Sequence, residues 1–151
     1  MSNMSNLKYT KTHPNAKAPT RNHPRDGGLN LTAATLEYNN EYGFYQYDTY
    51  LTFEIPPGYV GLITPMSDIS ETGLSFPDSV KIVNSSFRGS VKIRFYKETL
   101  AGIRSKPYEI GDQIAQLLIV PIRLPLMVEC TELSESDRGD GGFGSTDAKK
   151  G

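Results

Sequence analysis

From Tyr45 the chain alternates with a period of two, and this pattern most constrains the fold. Tyr45, Tyr47, Leu51, Phe53 and Ile55 share one parity; Gln46, Asp48, Thr52 and Glu54 share the other. Successive side chains of an extended backbone leave opposite faces, so residues 45–55 read as a half-buried strand. The pattern returns at Ser90 to Tyr96, with Val91, Ile93 and Phe95 on one face and Lys92, Arg94 and Tyr96 on the other. Pro56-Pro57-Gly58 is a turn that leads into a strand from Tyr59 to Thr64. Further strand-sized segments are Leu7 to Thr12, Leu29 to Ala34, Val80 to Val83, Ile114 to Ile122 and Leu126 to Thr131. Val80 to Val83 and Ser90 to Tyr96 read as a strand pair, because Asn84 to Gly89 between them has hairpin-turn chemistry. Residues 1–6 repeat Met-Ser-Asn and read as unstructured. Residues 13–28, with three prolines and two glycines, read as loop, and 65–78 as polar and irregular. No stretch carries the 3.6-residue period of an amphipathic helix of normal length. Many short strands joined by turns predict an all-β sandwich or barrel.

At 151 residues the chain fits one domain with a real core. Its net charge of −1 supplies no basic field for a nucleic-acid polymer. The longest apolar runs, such as Leu117 to Pro121, are strand-sized, and no signal-peptide pattern is present, so no membrane association is expected. The single cysteine, Cys130, lies in the run Leu126-Met127-Val128-Glu129-Cys130 and reads as a small buried residue. This usage predicts a reducing intracellular compartment, the cytoplasm or a nucleus.

The C-terminal run Arg138-Gly139-Asp140-Gly141-Gly142-Phe143-Gly144-Ser145-Thr146 combines an arginine, an aromatic ring and two hydroxyls with four glycines. Glycines let backbone N–H groups approach phosphate oxygens. An arginine can fork onto a phosphate, and a phenyl ring can cover a flat base. The combination points to a nucleotide; the plainer alternative is a disordered Gly/Ser tail. The expected organisation is a β-barrel domain over 1–137 and a flexible tail over 138–151.

The order of segments resembles the trimeric dUTP diphosphatases (dUTPases) from about Leu7 to Thr146. Arg25-Asp26-Gly27-Gly28-Leu29-Asn30-Leu31 is similar to the family's first motif, usually Asp-Ala-Gly-Tyr-Asp-Leu. Thr64-Pro65-Met66-Ser67-Asp68 stands where the second, Pro-Arg-Ser-Ser or Pro-Arg-Ser-Gly, belongs. Ile82-Val83-Asn84-Ser85-Ser86-Phe87-Arg88-Gly89 resembles the third, Val-Ile-Asp-x-x-Tyr-Arg-Gly. Gly111-Asp112-Gln113-Ile114-Ala115-Gln116-Leu117 resembles the fourth, and the Gly-rich tail the fifth. Five motifs in order are specific where any one is weak. The resemblance implies a jelly-roll β fold, a homotrimer, and active sites shared between subunits. One chain would give the first, second and fourth motifs, a second the third, and another the tail. The implied reaction is dUTP plus water to dUMP plus diphosphate, with Mg²⁺ on the triphosphate.

The same resemblance assigns substrate binding to Ser67, Ser85, Ser86, Phe87, Arg88, Gly89, Arg138, Phe143, Gly144, Ser145 and Thr146. Phe87 replaces a tyrosine that packs on the deoxyribose; otherwise it is a hairpin aromatic packed on the core. Gln116 would lie near the attacked phosphate, or be a strand residue on a solvated face. Asn84 stands at the place of the aspartate that activates water, and a neutral amide cannot accept that proton. Asn30 replaces an aspartate that helps hold hydrated Mg²⁺, a hard ion that favours carboxylates. Met66 replaces a phosphate-binding arginine, Gln113 removes another cation, and Asp68 adds an anion. Asp26 is a speculative metal ligand, and Asp26, Asp68 or Asp78 a substitute carboxylate; the plainer reading of each is a solvated loop charge. His13 and His23 lack a third ligand at metal spacing. Three functions compete: an active dUTPase with an altered site, a nucleotide-binding relative with weak or lost catalysis that acts as a sensor for a protein partner, and a non-catalytic partner-binding trimer. The substitutions favour the second.

Overall fold

The computed structural model describes residues 6–78, 80–98 and 106–144. Ten strands run in chain order: β1 Lys8–Lys11, β2 Leu29–Thr32, β3 Thr35–Asn39, β4 Phe44–Asp48, β5 Leu51–Glu54, β6 Tyr59–Pro65, β7 Leu74–Ser75, β8 Lys81–Val83, β9 Lys92–Lys97 and β10 Gln113–Pro121. A single 3₁₀ turn, Ser67–Glu71, is the only helical element among the described residues. The strands form antiparallel sheets of order β2-β10-β6-β8 and β3-β4-β9-β7, with β1 and β5 as a two-stranded ribbon. The expected all-β jelly-roll architecture is the one observed.

The core lies between the two larger sheets. Leu31, Ile63, Ile114 and Leu117 come from one and Tyr47, Ile93 and Phe95 from the other; all are fully buried. Tyr47 meets Phe95 edge-on at 5.7 Å and donates its hydroxyl to the carbonyl of Tyr108 at 2.7 Å. That bond satisfies the one polar atom this ring brings into the core.

The 45–55 alternation corresponds to two strands, β4 and β5, in different sheets. The chain turns at Thr49 and Tyr50, where Tyr50 has a φ of 49°. Asp48 Oδ1 accepts the Tyr50 N–H at 2.8 Å, and Thr49 Oγ1 donates to Val91 O at 2.8 Å. These bonds hold a corner that the unbroken parity conceals. The expected strand pair at 80–96 is also corrected: β8 pairs with β6 and β9 with β4 and β7, so residues 84–91 cross between sheets. The faces of β9 are nevertheless those expected, with Ile93 and Phe95 buried and Lys92, Arg94 and Tyr96 exposed.

No strand forms over 126–131. After Pro121 the chain leaves the sheet and finds no neighbouring edge in its own fold. Leu124, Leu126, Met127, Val128 and Leu133 are 77–92% exposed. Cys130 is exposed as well, not buried, because its apolar run never packs on the core. Among the described residues no helix is long and apolar enough to cross a membrane.

Candidate active site

β10 is the scaffold of the site. Gln116 is the direct partner of Asn30 on β2 and of Thr64 on β6. Directly opposed residues of antiparallel strands share a face, so the three side chains form a row across the sheet. The next row, Leu29-Leu117-Ile63, points the other way into the core. Burial of that row fixes the register, and the register aligns the polar row.

Asn30 is only 3% exposed, and its Nδ2 donates to Asn22 Oδ1 at 3.2 Å. Its backbone exchanges hydrogen bonds with Thr20 at 2.7 and 3.2 Å, and Gln113 Nε2 donates to Thr20 Oγ1 at 3.2 Å. The loop before β2 is thereby fastened along the free edge of β2. Gly28 serves by having no side chain: a Cβ there would lie 2.6 Å from Gln116 Oε1. No motif or periodicity marks Thr20 or Asn22, and Thr64 heads the second motif without a role of its own. Only the cross-strand register and the Thr20–Asn30 bridge bring them to the site.

Ser67 opens the 3₁₀ turn three residues after Thr64, exposed at the end of the same strand. Asp68 is engaged: its Oδ1 accepts the Tyr108 hydroxyl at 2.7 Å. Burial, with that hydrogen bond and the Asp68 charge behind it, raises the Tyr108 phenol well above its ordinary value. Asp26 closes its own loop; its Oδ2 accepts the His23 N–H at 3.1 Å, and its carbonyl accepts Arg21 Nε at 2.9 Å. His13 accepts the Asn15 N–H and stacks on Tyr50 at 4.6 Å.

Asn84 is not brought to this row. Val83 at the end of β8 opposes Gly61, three residues from Thr64 on β6, or about 10 Å along the strand. β8 runs away from the row, so Asn84 lies farther off still. Residues 84–89 form a loop whose turn is closed by Phe87 N–H donating to Asn84 O at 3.1 Å. Phe87 is 46% exposed and lies over Gly89, where a Cβ would meet its ring at 2.6 Å, so it is not a core aromatic. A cleft of about 150 Å³ beside it is lined by Lys81, Ile82, Val83 and Val91. Lys81 shares the inward row of Ile63, and its ammonium donates to Lys92 O at 2.7 Å. Burial pushes this amine below its ordinary value, against the pull of Asp78.

The tail stands clear of its own barrel. Arg138 Nε donates to Gly141 O at 2.6 Å, and Phe143 is fully exposed. Gly144 is exposed with a φ of 87°, while Ser145 and Thr146 lie outside the described residues. A single chain therefore gathers Asn30 and Gln116 with Ser67 nearby, and leaves Asn84 to Gly89 and Arg138 to Gly144 elsewhere.

A family model described as dUTPase matches residues 14–147. The chain belongs to the dUTPase family. It is 33% identical over 149 residues to the deoxyuridine 5'-triphosphate nucleotidohydrolase of Nocardia farcinica, covering 97% of this chain and 88% of that one. Among solved structures it is similar to the Staphylococcus bacteriophage 80alpha dUTPase with dUpNHpp, described as one of the phage dUTPases that control transfer of virulence genes. That likeness has a TM-score of 0.80 and 27% identity over 95% of this chain and 99% of the phage chain. The dUTPase from phage phi11 of S. aureus, solved as a variant with a structural Mg(II) ion, matches at a TM-score of 0.71 and 25% identity, over 84% of this chain and 97% of that one.

For a dUTPase, the gathered row is short of charge. Its side chains are two carboxamides and a hydroxyl, and no group of three or more His, Cys, Asp or Glu suited to a metal occurs among the described residues. Mg²⁺ engages carboxylate oxygens in preference to amides. The Asn30 amide already bonds to Asn22, and the Asp26 carboxylate to its own loop. The side chains present do not fit a protein-held Mg²⁺.

Proposed function

We propose that this protein is a homotrimeric dUTP-binding member of its family in which hydrolysis to dUMP and diphosphate is weak or lost. The observation that carries this reading is Asn30 beside Gln116: a buried neutral amide committed to Asn22 where the family resemblance implies a carboxylate. Such groups hydrogen-bond a nucleotide but accept no proton from water. Asn84 brings a third neutral amide from the 84–89 loop. Asp26 and Asp68 are each tied to their own loops, through the His23 N–H and the Tyr108 hydroxyl, which argues against their compensating.

The separation of the 84–89 loop and the tail from the row supports a site completed between subunits. Ser67 and Gln116 would come from one subunit. Asn84 to Gly89 would come from a second, and Arg138 and Phe143 to Thr146 from a tail laid across. The outward row Leu118-Leu62-Ile82, with Ile82 61% exposed, and the apolar arm after Pro121 supply surface for such contacts. Apolar surface of this extent is a mark of association. On this reading 1–137 is the barrel with its arm and 138–151 the closing tail. Slow turnover would leave the nucleotide-bound state long-lived, which suits a sensor read by a protein partner. Phage dUTPases of similar fold are described as controlling transfer of virulence genes, which supports a role read by a partner.

Isothermal calorimetry with dUpNHpp tests the binding half. The reading expects saturable binding at one site per subunit, lost on truncation before Arg138. No heat at millimolar dUpNHpp would overturn it in favour of a partner-binding trimer without nucleotide.

A further inference from the structure

The loop 84–89 has little to hold its shape. Its turn has one backbone bond, Phe87 N–H to Asn84 O, and Ser86 to Gly89 are all exposed. The remaining ties come from Arg88. Its Nη1 donates to Ser85 O at 2.7 Å and to Phe87 O at 3.0 Å, so the guanidinium folds back across its own loop. Its Nη2 lies 3.9 Å from Glu54 Oε1 on β5, and Glu54 Oε2 accepts Lys8 Nζ from β1 at 3.1 Å. The loop is thus bound to the β1–β5 ribbon through one carboxylate shared by two cations.

We propose that Arg88 is a positioning residue, which shapes the base-facing loop from behind through Glu54 and makes no contact with nucleotide phosphate. The inference rests on the nucleotide-binding reading above for its ligand, but not for its geometry. A guanidinium has five donors in a rigid fork, enough for two carbonyls and a carboxylate together. A lysine offers one point charge and cannot reproduce that span. Both carbonyls that Arg88 holds belong to residues flanking the loop tip. Releasing them frees Ser85 and Phe87 to rotate, which removes the fixed pattern of groups that would select a pyrimidine. Exposed ion pairs contribute little to global stability, so the effect belongs in the loop and not in the melting temperature.

Amide exchange of Phe87 in the nucleotide-free protein tests the geometry, and calorimetry with dUpNHpp and with dTTP tests its consequence. Arg88→Ala is expected to speed Phe87 exchange about tenfold with an unchanged melting temperature. It should weaken dUpNHpp at least tenfold and narrow its preference over dTTP. Arg88→Lys should not restore either, and Glu54→Gln should be non-additive with Arg88→Ala in a double-mutant cycle. Unchanged Phe87 exchange in Arg88→Ala would overturn the inference, and weakened binding with that result would mean direct contact with nucleotide. If exchange responds as expected but the wild type binds no dUpNHpp, the loop-ordering role holds and the nucleotide reading fails.

Discussion

Asn30 concentrates the chemistry at the residue scale. It sits where the resemblance expects a carboxylate, 3% exposed and donating from its Nδ2 to the side-chain Oδ1 of Asn22. Asn30→Asp is expected to destabilise the protein by about 1–3 kcal/mol in thermal denaturation, because a turned Asn22 amide only partly offsets the burial of a charge. Added Mg²⁺ should return part of that loss; an Asp variant as stable as the wild type with and without Mg²⁺ would refute this account of the position. The motif made the substitution itself legible, but not its lock. Thr20 and Asn22 belong to a stretch with no periodicity, and their bonds to Asn30 span 8 to 10 residues of irregular chain. Tyr47 and Tyr108 add a second prediction. Burial raises both phenols above the ordinary 10.0. Unfolded tyrosines ionise near pH 10 while these two stay protonated, so the stability they contribute is complete below pH 10 and is lost as pH rises above it. Loss of circular dichroism should set in as the pH rises above about 10. Tyr108→Phe should flatten that dependence, and an unchanged dependence in the variant would show that this phenol is not coupled to the fold.

At the scale of elements, the parity of the strands was legible and their partners were not. Residues 91–96 alternate as the sheet requires, because burial of one face writes itself into every second residue. The corner at Tyr50 leaves no such mark, since the apolar parity runs through it from Tyr47 to Leu51. The crossing loop at 84–91 was equally opaque: its residues suit a hairpin turn, and only long-range pairing of β8 with β6 excludes one. The arm after Pro121 is the opposite case. Leu124, Leu126 and Val128 alternate like a strand, yet no sheet of the same chain receives them. Covered by a second subunit, each would contribute about 1.5–3 kcal/mol. The double change Leu126→Asp with Val128→Asp should therefore yield monomers in analytical ultracentrifugation with the β-sheet spectrum intact. Trimers of undiminished stability would show that the arm plays no part in assembly.

For the whole molecule, the proposed reading separates ancestry from activity. The fold, the β10 register and the glycine at position 28 that admits Gln116 keep the frame of a dUTPase site. The tail keeps the arginine and the phenyl ring that would close over a neighbour. On the proposed reading the site would lack carboxylates at Asn30 and Asn84, while Asp68 and Asp26 are tied to Tyr108 and to the His23 loop. On that reading, a molecule built this way would grip a triphosphate more readily than it cuts one. The decisive measurement is diphosphate release from dUTP and Mg²⁺ by the full-length protein, at a concentration where dUpNHpp saturates it. The account predicts release at least 100-fold below the roughly 10 s⁻¹ of an ordinary enzyme, and a large gain in the triple variant Asn30→Asp, Met66→Arg, Asn84→Asp. Turnover by the wild type at ordinary rates would contradict it.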